Sequence, residues 1–178
     1  TQGLLTVDQI VERASEKSIP SVALTDKSNM FGLVKFFNKC EAAGIKPISG
    51  ASIKMMFEAD ESPFELLCLA KTNNGHKNLM KVISNAHNNN LYNSPIISFK
   101  ELIELKDDIV VISGGKESHI FEYIKRDKVS DAIKAVDNLR NHFKDDFVIE
   151  VQRTNRADEI EYFKNILPIS IEKGIPLI

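Results

Sequence analysis

Polar side chains suited to metal or phosphate chemistry gather in one turn near the N-terminus. The turn Thr25-Asp26-Lys27-Ser28-Asn29 directly follows the apolar segment 21–24. In α/β folds the ends of strands carry the chemistry, so Asp26 would point a carboxylate into the mouth of the sheet, where a divalent metal or a substrate could be held. The same side chains also suit a purely local role, in which their oxygens bond free backbone N–H groups of the turn and the next helix. From the residues alone we favour the local role.

The histidines do not supply partners for a metal at this turn. His76 and His87 are eleven residues apart on one predicted helix, which is three turns and too far to share an ion. His119 and His142 have no other His or Cys at ligand spacing. We therefore expect all four to be surface or core residues.

Two further groups admit both a functional and a structural interpretation. Glu150 ends a predicted strand and could face the same mouth as Asp26, or pair with Arg153, which we favour. The segment 113–115, Ser-Gly-Gly, could cradle an anion on its N–H groups, although a strand-to-helix turn needs the same residues. The sequence contains no Walker loop, GxGxxG, GxSxG or HExxH motif.

Composition is that of an ordinary globular domain of 178 residues, 43% hydrophobic and 27% charged. Lys and Arg number 23 against 25 Asp and Glu, which argues against a surface that grips DNA by itself. Cys40 and Cys68 lie in apolar segments and are expected to be reduced core thiols. No apolar run is long enough to span a membrane, so we expect a cytoplasmic protein without a membrane partner.

Strands and helices of an α/β fold must position these side chains. The patterns predict strands at 21–24, before Phe57, and at 64–70, 109–112, 147–151 and 175–178. Between them they predict helices over 30–43, burying Val34, Phe37 and Cys40, and over 74–87. Such alternation is typical of a mostly parallel sheet, open or closed as a barrel.

Helix boundaries are signalled by caps. Thr6 with Gln9, and Ser98 with Glu101, form capping boxes, and Ser130 is predicted to cap a later helix. The last helix should bury a stripe at Ile160, Phe163, Ile166 and Leu167, bend near Pro168 and end at Gly174. The chain opens on a helix and stops on a strand, so we expect a single domain over 1–178 that is a fragment of a longer protein.

Several segments, in the same order along nearly the whole chain, closely resemble one family. They are LTDKSNMFGLVKFF, AGIKPISGA, LLCLAKTNNGHKNLMKVIS, VVISGG and FVIEVQRTNRADE. The resemblance is to the polymerase and histidinol phosphatase (PHP) domain at the N-terminus of bacterial replicative DNA polymerase III alpha subunits. It implies an α/β fold, a distorted, TIM-like, seven-stranded β/α barrel. The family's first strand would lie just before Thr1, and the last would continue after Ile178.

Active members of the family bind a cluster of metal ions, usually three, and hydrolyse phosphoesters, and this sequence departs from their ligand pattern. Asp26 and Asn29 are retained, but Lys27 stands where the family has a metal-binding His. Ser52 stands for a Glu, Glu65 for a His and Gly115 for a Cys, and Arg153 and Thr154 fall where active members carry polar or metal-facing residues. We expect the Lys27 ammonium to occupy the vacated cation position and to pair with Asp26.

The resemblance therefore implies a degenerate domain without catalytic or metal-binding residues. Its expected role is architectural: it would brace the polymerase and dock the proofreading exonuclease (epsilon) subunit of the replicase holoenzyme. DNA synthesis, DNA binding and the Mg²⁺ that synthesis needs would belong to the full-length alpha subunit.

Two enzymatic alternatives remain open. One is a phosphoesterase or 3′–5′ exonuclease that keeps a partial metal site through Asp26, Glu65 and Glu150 together with histidines outside this sequence. The other is a stand-alone enzyme resembling histidinol phosphatase, which the same ligand losses disfavour. The presence of Lys27 weighs against both, because an ammonium adds positive charge where a neutral imidazole was needed.

Overall fold

Strands and helices alternate along most of the chain in the computed structural model, which describes residues 5–57, 62–89 and 94–178. The strands are β1 (Ser21–Leu24), β2 (Lys46–Met56), β3 (Phe64–Ala70), β4 (Ile96–Ser98), β5 (Ile109–Ile112) and β6 (Phe147–Val148). The helices are α1 (Val7–Glu16), α2 (Leu33–Ala42), α3 (Asn73–Asn89), α4 (Phe99–Glu104), α5 (His119–Lys125), α6 (Val129–Phe143) and α7 (Ala157–Lys173). The structure is thus mixed α/β, as predicted.

The six strands form one sheet in the order β1-β2-β3-β5-β6, with β4 also paired to β2. The pairs β1–β2, β2–β4 and β5–β6 are parallel, whereas β3 is antiparallel to both β2 and β5. The sheet is therefore mostly parallel, as predicted, and β3 is the antiparallel exception. Only seven residues, 57–63, separate β2 from β3, and parallel neighbours need a crossover connection of about a dozen residues or more. As a result, the first residues of β3 lie at the same edge of the sheet as the last residues of β1, β5 and β6.

The strand predicted over 147–151 is shorter than expected and continues as a bridge to the last residues of the chain. Ile149 and Leu177 form a parallel bridge. The Val151 N–H donates to the carbonyl of Ile178 at 2.8 Å, and the Ile178 N–H donates to the carbonyl of Ile149 at 3.0 Å. The predicted strand at 175–178 is thus present only as this bridged segment beside β6.

Two hydrophobic clusters hold the elements together. The larger covers one face of the sheet and includes Ile53, Leu66, Val111 and Phe147, and the smaller lies between α1 and α2 around Phe36. Cys68 belongs to the larger cluster and Cys40 to the smaller, which confirms that both are core thiols. Burial raises the pKa of both thiols, that of Cys68 to about 12, so neither ionises near neutral pH.

The predicted cap and end positions are largely confirmed. The Thr6–Gln9 and Ser98–Glu101 capping boxes are both formed, and α7 ends at Gly174, whose φ is +59°. The predicted cap at Ser130 is wrong, because α6 begins at Val129 with Lys128 as its N-cap. Most of the loop predicted over 58–63 lies outside the described residues.

The buried faces of two helices differ from the predicted ones. In α2, Phe36 and Cys40 are fully buried, whereas Val34 is 74% exposed. In α7, Tyr162, Ile166 and Ile169 face the core, whereas Ile160 and Phe163 are exposed. Both helices carry apolar residues on more than one side, so their composition alone allows more than one inward face.

His119 lies in an aromatic environment that should make stability depend on pH. Its ring stacks on those of Phe57 and Tyr123, with centroids 5.5 and 5.4 Å apart, and also contacts Phe64. Burial lowers the pKa of His119 from 6.5 to about 4. The folded state therefore resists a proton that the unfolded state accepts, so the contribution of His119 is fully present above pH 6.5 and falls as the pH drops toward 4.

We expect this acid-linked loss to be about 2 kcal/mol, after allowing for the partial exposure of the ring. Urea unfolding of the wild type and of His119→Phe at mildly alkaline and mildly acidic pH measures it. The wild type should lose more stability between the two conditions than the variant does. An equal loss in both proteins would contradict the prediction.

Candidate functional site

A lysine, a serine and a glutamate from three elements meet at the edge where β3 begins. The Nζ atom of Lys27, just after β1, lies 2.6 Å from Oε1 of Glu65 in β3. The Oγ atom of Ser52 in β2 donates to Oε2 of the same carboxylate at 2.9 Å. Both oxygens of Glu65 are therefore engaged, one by a cation and one by a hydroxyl.

The backbone brings these three side chains together. Lys27 and Ser52 form a parallel bridge that extends the β1–β2 ladder, with hydrogen bonds from the Ser28 N–H to the Ser52 carbonyl and from the Ser52 N–H to the Asp26 carbonyl. Glu65 arrives from β3 at the neighbouring position, opposite Lys54. The predicted pair of Lys27 with Asp26 is therefore wrong, and Lys27 pairs with Glu65 instead. Strand register sets the neighbour of an ammonium more strongly than sequence proximity does.

The polar turn itself has mainly the local role that the sequence favoured. The Asn29 side chain donates to the carbonyl of Lys27 at 2.9 Å and accepts from the N–H of Phe31 at 3.1 Å. Ser28 is buried and has a φ of +49°. The N-cap of α2 is Gly32, without a side-chain cap, so neither Asp26 nor Ser28 caps that helix.

A second polar group lies at the ends of β5 and β6. The backbone N–H of Glu150 donates to Oγ of Ser113 at 2.9 Å, and Nε2 of Gln152 donates to Oε1 of Glu150 at 2.9 Å. The predicted pair of Glu150 with Arg153 is wrong: Arg153 is exposed and forms no ion pair within the described ranges. Sequence reasoning missed Gln152 and the Ser113 hydroxyl, which carry no motif and become partners only when the two strand ends meet.

The Gly114-Gly115 turn lies between the group around Glu65 and the group around Glu150. Gly114 has a φ of +81°, and a β-carbon there would lie 2.2 Å from the backbone oxygen of Glu65. Gly115 has a φ of +55°, and its β-carbon would meet Nε2 of Gln152 at 2.6 Å. The glycines are therefore explained by the backbone path and by close approach, without an anion.

Tyr162 of α7 also contributes to this region and was not singled out from the sequence. Its buried hydroxyl lies near Ser113 and Glu150. Burial raises the pKa of this phenol, and the negative charge of Glu150 acts in the same direction. The available signal was a tyrosine at the centre of the last predicted helix, where a polar tip in an apolar surrounding suggests a facing polar group.

Comparison with models of known protein families assigns the chain to one of them. The family model of the PHP domain matches residues 1–154. This chain belongs to the PHP domain family. The expectation drawn from segments such as LTDKSNMFGLVKFF and AGIKPISGA is thereby confirmed.

The sequence relatives of this PHP domain include DNA polymerase III alpha subunits. The chain is 33% identical to the subunit of Vibrio cholerae, 32% identical to that of Escherichia coli K12 and 30% identical to that of Pasteurella multocida, in each case over 99% of its own length. It spans about 15% of the length of these relatives.

Solved structures show the same fold at low identity. A crystal structure of a protein described as a metal-dependent phosphoesterase, from Bifidobacterium adolescentis, matches with a TM-score of 0.68 at 15% identity, covering 98% of this chain and 81% of the other. An amidohydrolase from Chromobacterium violaceum matches with a TM-score of 0.61 at 8% identity, with the same coverage. At these identities the likeness concerns the fold alone.

The donor set of the described residues does not fit a metal cluster. Among residues 5–57, 62–89 and 94–178, no three His, Cys, Asp or Glu side chains converge as metal ligands would. His76 bonds Ser49, and His87 bonds the carbonyl of Ser28. At the edge of the sheet where β3 begins, the Glu65 carboxylate is already paired with the Lys27 ammonium. The described residues therefore offer no open ligand set of the kind that a metal cluster needs.

No helix in the part of the chain that the structure describes is both long and apolar enough to cross a membrane.

Proposed function

We propose that this PHP domain is a metal-free scaffold of a bacterial DNA polymerase III alpha subunit. The observation that carries the proposal is the Lys27–Glu65–Ser52 network, in which an ammonium occupies the mouth of the sheet and engages the carboxylate there. In this proposal Asp26, Lys27, Asn29, Ser52, Glu65, Gly115 and Arg153 mark the positions of a lost metal site.

Electrostatics supports a structural role for this network. A fixed positive charge repels a divalent cation, while a half-buried ion pair with a further hydrogen bond to its carboxylate links two strands. The pair joins the loop after β1 to β3, and Ser52 joins β2 to the same carboxylate. The network therefore replaces the cross-linking that a metal would otherwise provide. In this proposal the strands around the network form part of a seven-stranded barrel.

The polymerase relatives suggest the role of the whole protein. By that likeness, the full-length protein is a cytoplasmic, DNA-directed DNA polymerase that binds DNA and uses Mg²⁺ at a site outside these residues. This domain would brace the polymerase chain and dock the proofreading exonuclease (epsilon) subunit of the replicase.

Metal analysis of the full-length gene product tests the scaffold proposal. After purification with zinc and manganese present and then removed by gel filtration, we expect well below one zinc or manganese ion per chain. We also expect no release of nucleotides from a 3′ end by the protein alone. Primer extension by the same sample serves as the control for correct folding.

Two or more tightly bound zinc or manganese ions, with hydrolysis of a 3′ end, would overturn the proposal. That result would favour the alternative of a partial metal site through Asp26, Glu65 and Glu150. Loss of the hydrolysis in an Asp26→Asn variant would then assign it to this domain.

A further inference from the structure

An exposed apolar surface with two cavities lies between the α2 region and α3. We call it the α2–α3 groove and define it by Phe31, Val34 and Phe37 on one side and His76 and Met80 on the other. Phe31 is 91% exposed and Met80 43% exposed, and Val34 is among the most exposed apolar residues of the described chain. Large apolar side chains this exposed and this close together indicate a surface that binds something.

The α3 wall of the groove is held in place by two hydrogen bonds. His76, Met80, Ile83 and His87 are spaced so that they lie on one face of α3. Nδ1 of His76 lies 2.9 Å from Oγ of Ser49 in β2, and Nε2 of His87 lies 2.8 Å from the carbonyl of Ser28. The apolar Met80 and Ile83 sit between these two anchors, so the wall is preorganised for binding.

Two cavities lie one after the other along the groove. One has a volume of about 480 Å³ and is bordered by Met30, Phe31, Met80 and Ile83. The other has a volume of about 730 Å³ and is bordered by Val34, Phe37 and His76, among others. The cavities are neighbours on both walls, because Phe31 and Val34 are three residues apart and His76 and Met80 four. Successive cavities between two helices suit the apolar side chains of a third helix.

The charges beside the groove are positive. Helix α3 (Asn73–Asn89) contains no Asp or Glu. Lys77 and Lys81 are exposed on α3, each directly after a groove residue, His76 and Met80, and Lys46 borders the larger cavity. Within the part of the chain that the structure describes, none of these three lysines forms an ion pair, whereas Lys35 and Lys39 of α2 share Asp8.

We infer that the α2–α3 groove binds an acidic amphipathic helix of a partner protein. Apolar residues three and four apart on that helix would enter the two cavities, and Asp or Glu residues beside them would face Lys77 and Lys81. The positive rim selects an acidic partner, since like charges across an interface are strongly disfavoured. The smaller cavity is also bordered by Ser28 and Asn29, next to Lys27, but Lys27, Ser52 and Glu65 border neither cavity, so the inference does not depend on the absence of metal.

Fluorescence anisotropy with a labelled synthetic peptide tests the inference on the full-length gene product. The probe is a helical peptide of about 18 residues, with leucines every third or fourth position and glutamates on both flanks. We expect saturable binding with a Kd of about 1 to 100 µM that weakens as salt is raised. A matched peptide with lysines in place of the glutamates should not bind.

Variants of the protein locate the binding surface. Val34→Glu and Met80→Glu should each weaken binding at least about tenfold, because a buried unpaired carboxylate in the cavities is strongly disfavoured. The double variant Lys77→Glu/Lys81→Glu should weaken binding several-fold and reduce its salt dependence. Ile171→Glu is the matched control for Val34→Glu: Ile171 is 72% exposed and Val34 74%, but Ile171 lies on α7, so its variant should bind normally.

Three results would overturn the inference: no saturable binding of the acidic peptide, equal binding of the lysine peptide, or unchanged binding by Met80→Glu.

A second copy of the chain is another occupant that the groove could take. Sedimentation of the protein alone tests whether copies associate. The exposed α7 residues Ile160 and Phe163, next to Glu161, could present such a helix. Self-association abolished by both Ile160→Glu and Met80→Glu would replace the proposed partner by a second copy.

Discussion

Replacing Gly114 by alanine should cost about 2 to 5 kcal/mol of the free energy of unfolding. A residue with a side chain loses about 1 to 2 kcal/mol in the left-handed region that Gly114 occupies, and forcing atoms into a filled space adds about 1 to 3 kcal/mol. The filled space is rigid here, because the new β-carbon would overlap the backbone oxygen of Glu65. Urea unfolding followed by circular dichroism measures the loss.

Two other glycines separate the conformational cost from the overlap. Gly174 also has a positive φ, but a β-carbon there meets nothing within 4 Å, so Gly174→Ala should cost only about 1 kcal/mol. Gly115→Ala should fall between the two, since its β-carbon meets the flexible ends of Gln152 and Glu150. If the Gly114 variant does not fold, the order of the other two still tests the argument. Equal losses at Gly174 and Gly115 would show that overlap at this turn does not matter.

Replacing Lys27 by methionine should cost about 2 kcal/mol of stability. The Glu65 side chain is only 12% exposed, so removing the ammonium leaves a largely buried carboxylate with one hydrogen bond from Ser52. Breaking a fully buried ion pair typically costs about 3 to 5 kcal/mol, and the 43% exposure of Lys27 reduces that figure. The double variant Lys27→Met/Glu65→Gln should regain at least half of the loss, because the uncompensated charge is gone. A double-mutant cycle measures this coupling.

An exposed ion pair provides the control for this cycle. Lys134 pairs with Asp131 one turn away on α6, with both side chains well exposed. Lys134→Met should change stability by less than about 0.5 kcal/mol. A coupling between Lys27 and Glu65 no larger than this would mean that the network does not hold the strands together, and the scaffold proposal would lose its main support.

Local features of the fold could be predicted because their causes are local. The strands at 21–24, 64–70 and 109–112 and both capping boxes follow from residues close together in the chain. The inward faces of α2 and α7 could not be predicted in the same way. Each helix carries apolar residues on several sides, and only the packed neighbours select Phe36 over Val34 and Tyr162 over Phe163.

The sequence by itself determined the PHP family and the positions of most elements, and it predicted Lys27, Ser52, Glu65 and Gly115 as altered positions of a site in which Asp26 is retained. Only the tertiary structure decided that β3 runs antiparallel, and that Lys27 pairs with Glu65 and Glu150 with Gln152. Strand direction and register depend on contacts between residues far apart in the chain, 38 positions in the case of Lys27 and Glu65. Periodicity and spacing carry no information about such pairings, and so the partner of the lysine became visible only in the folded chain.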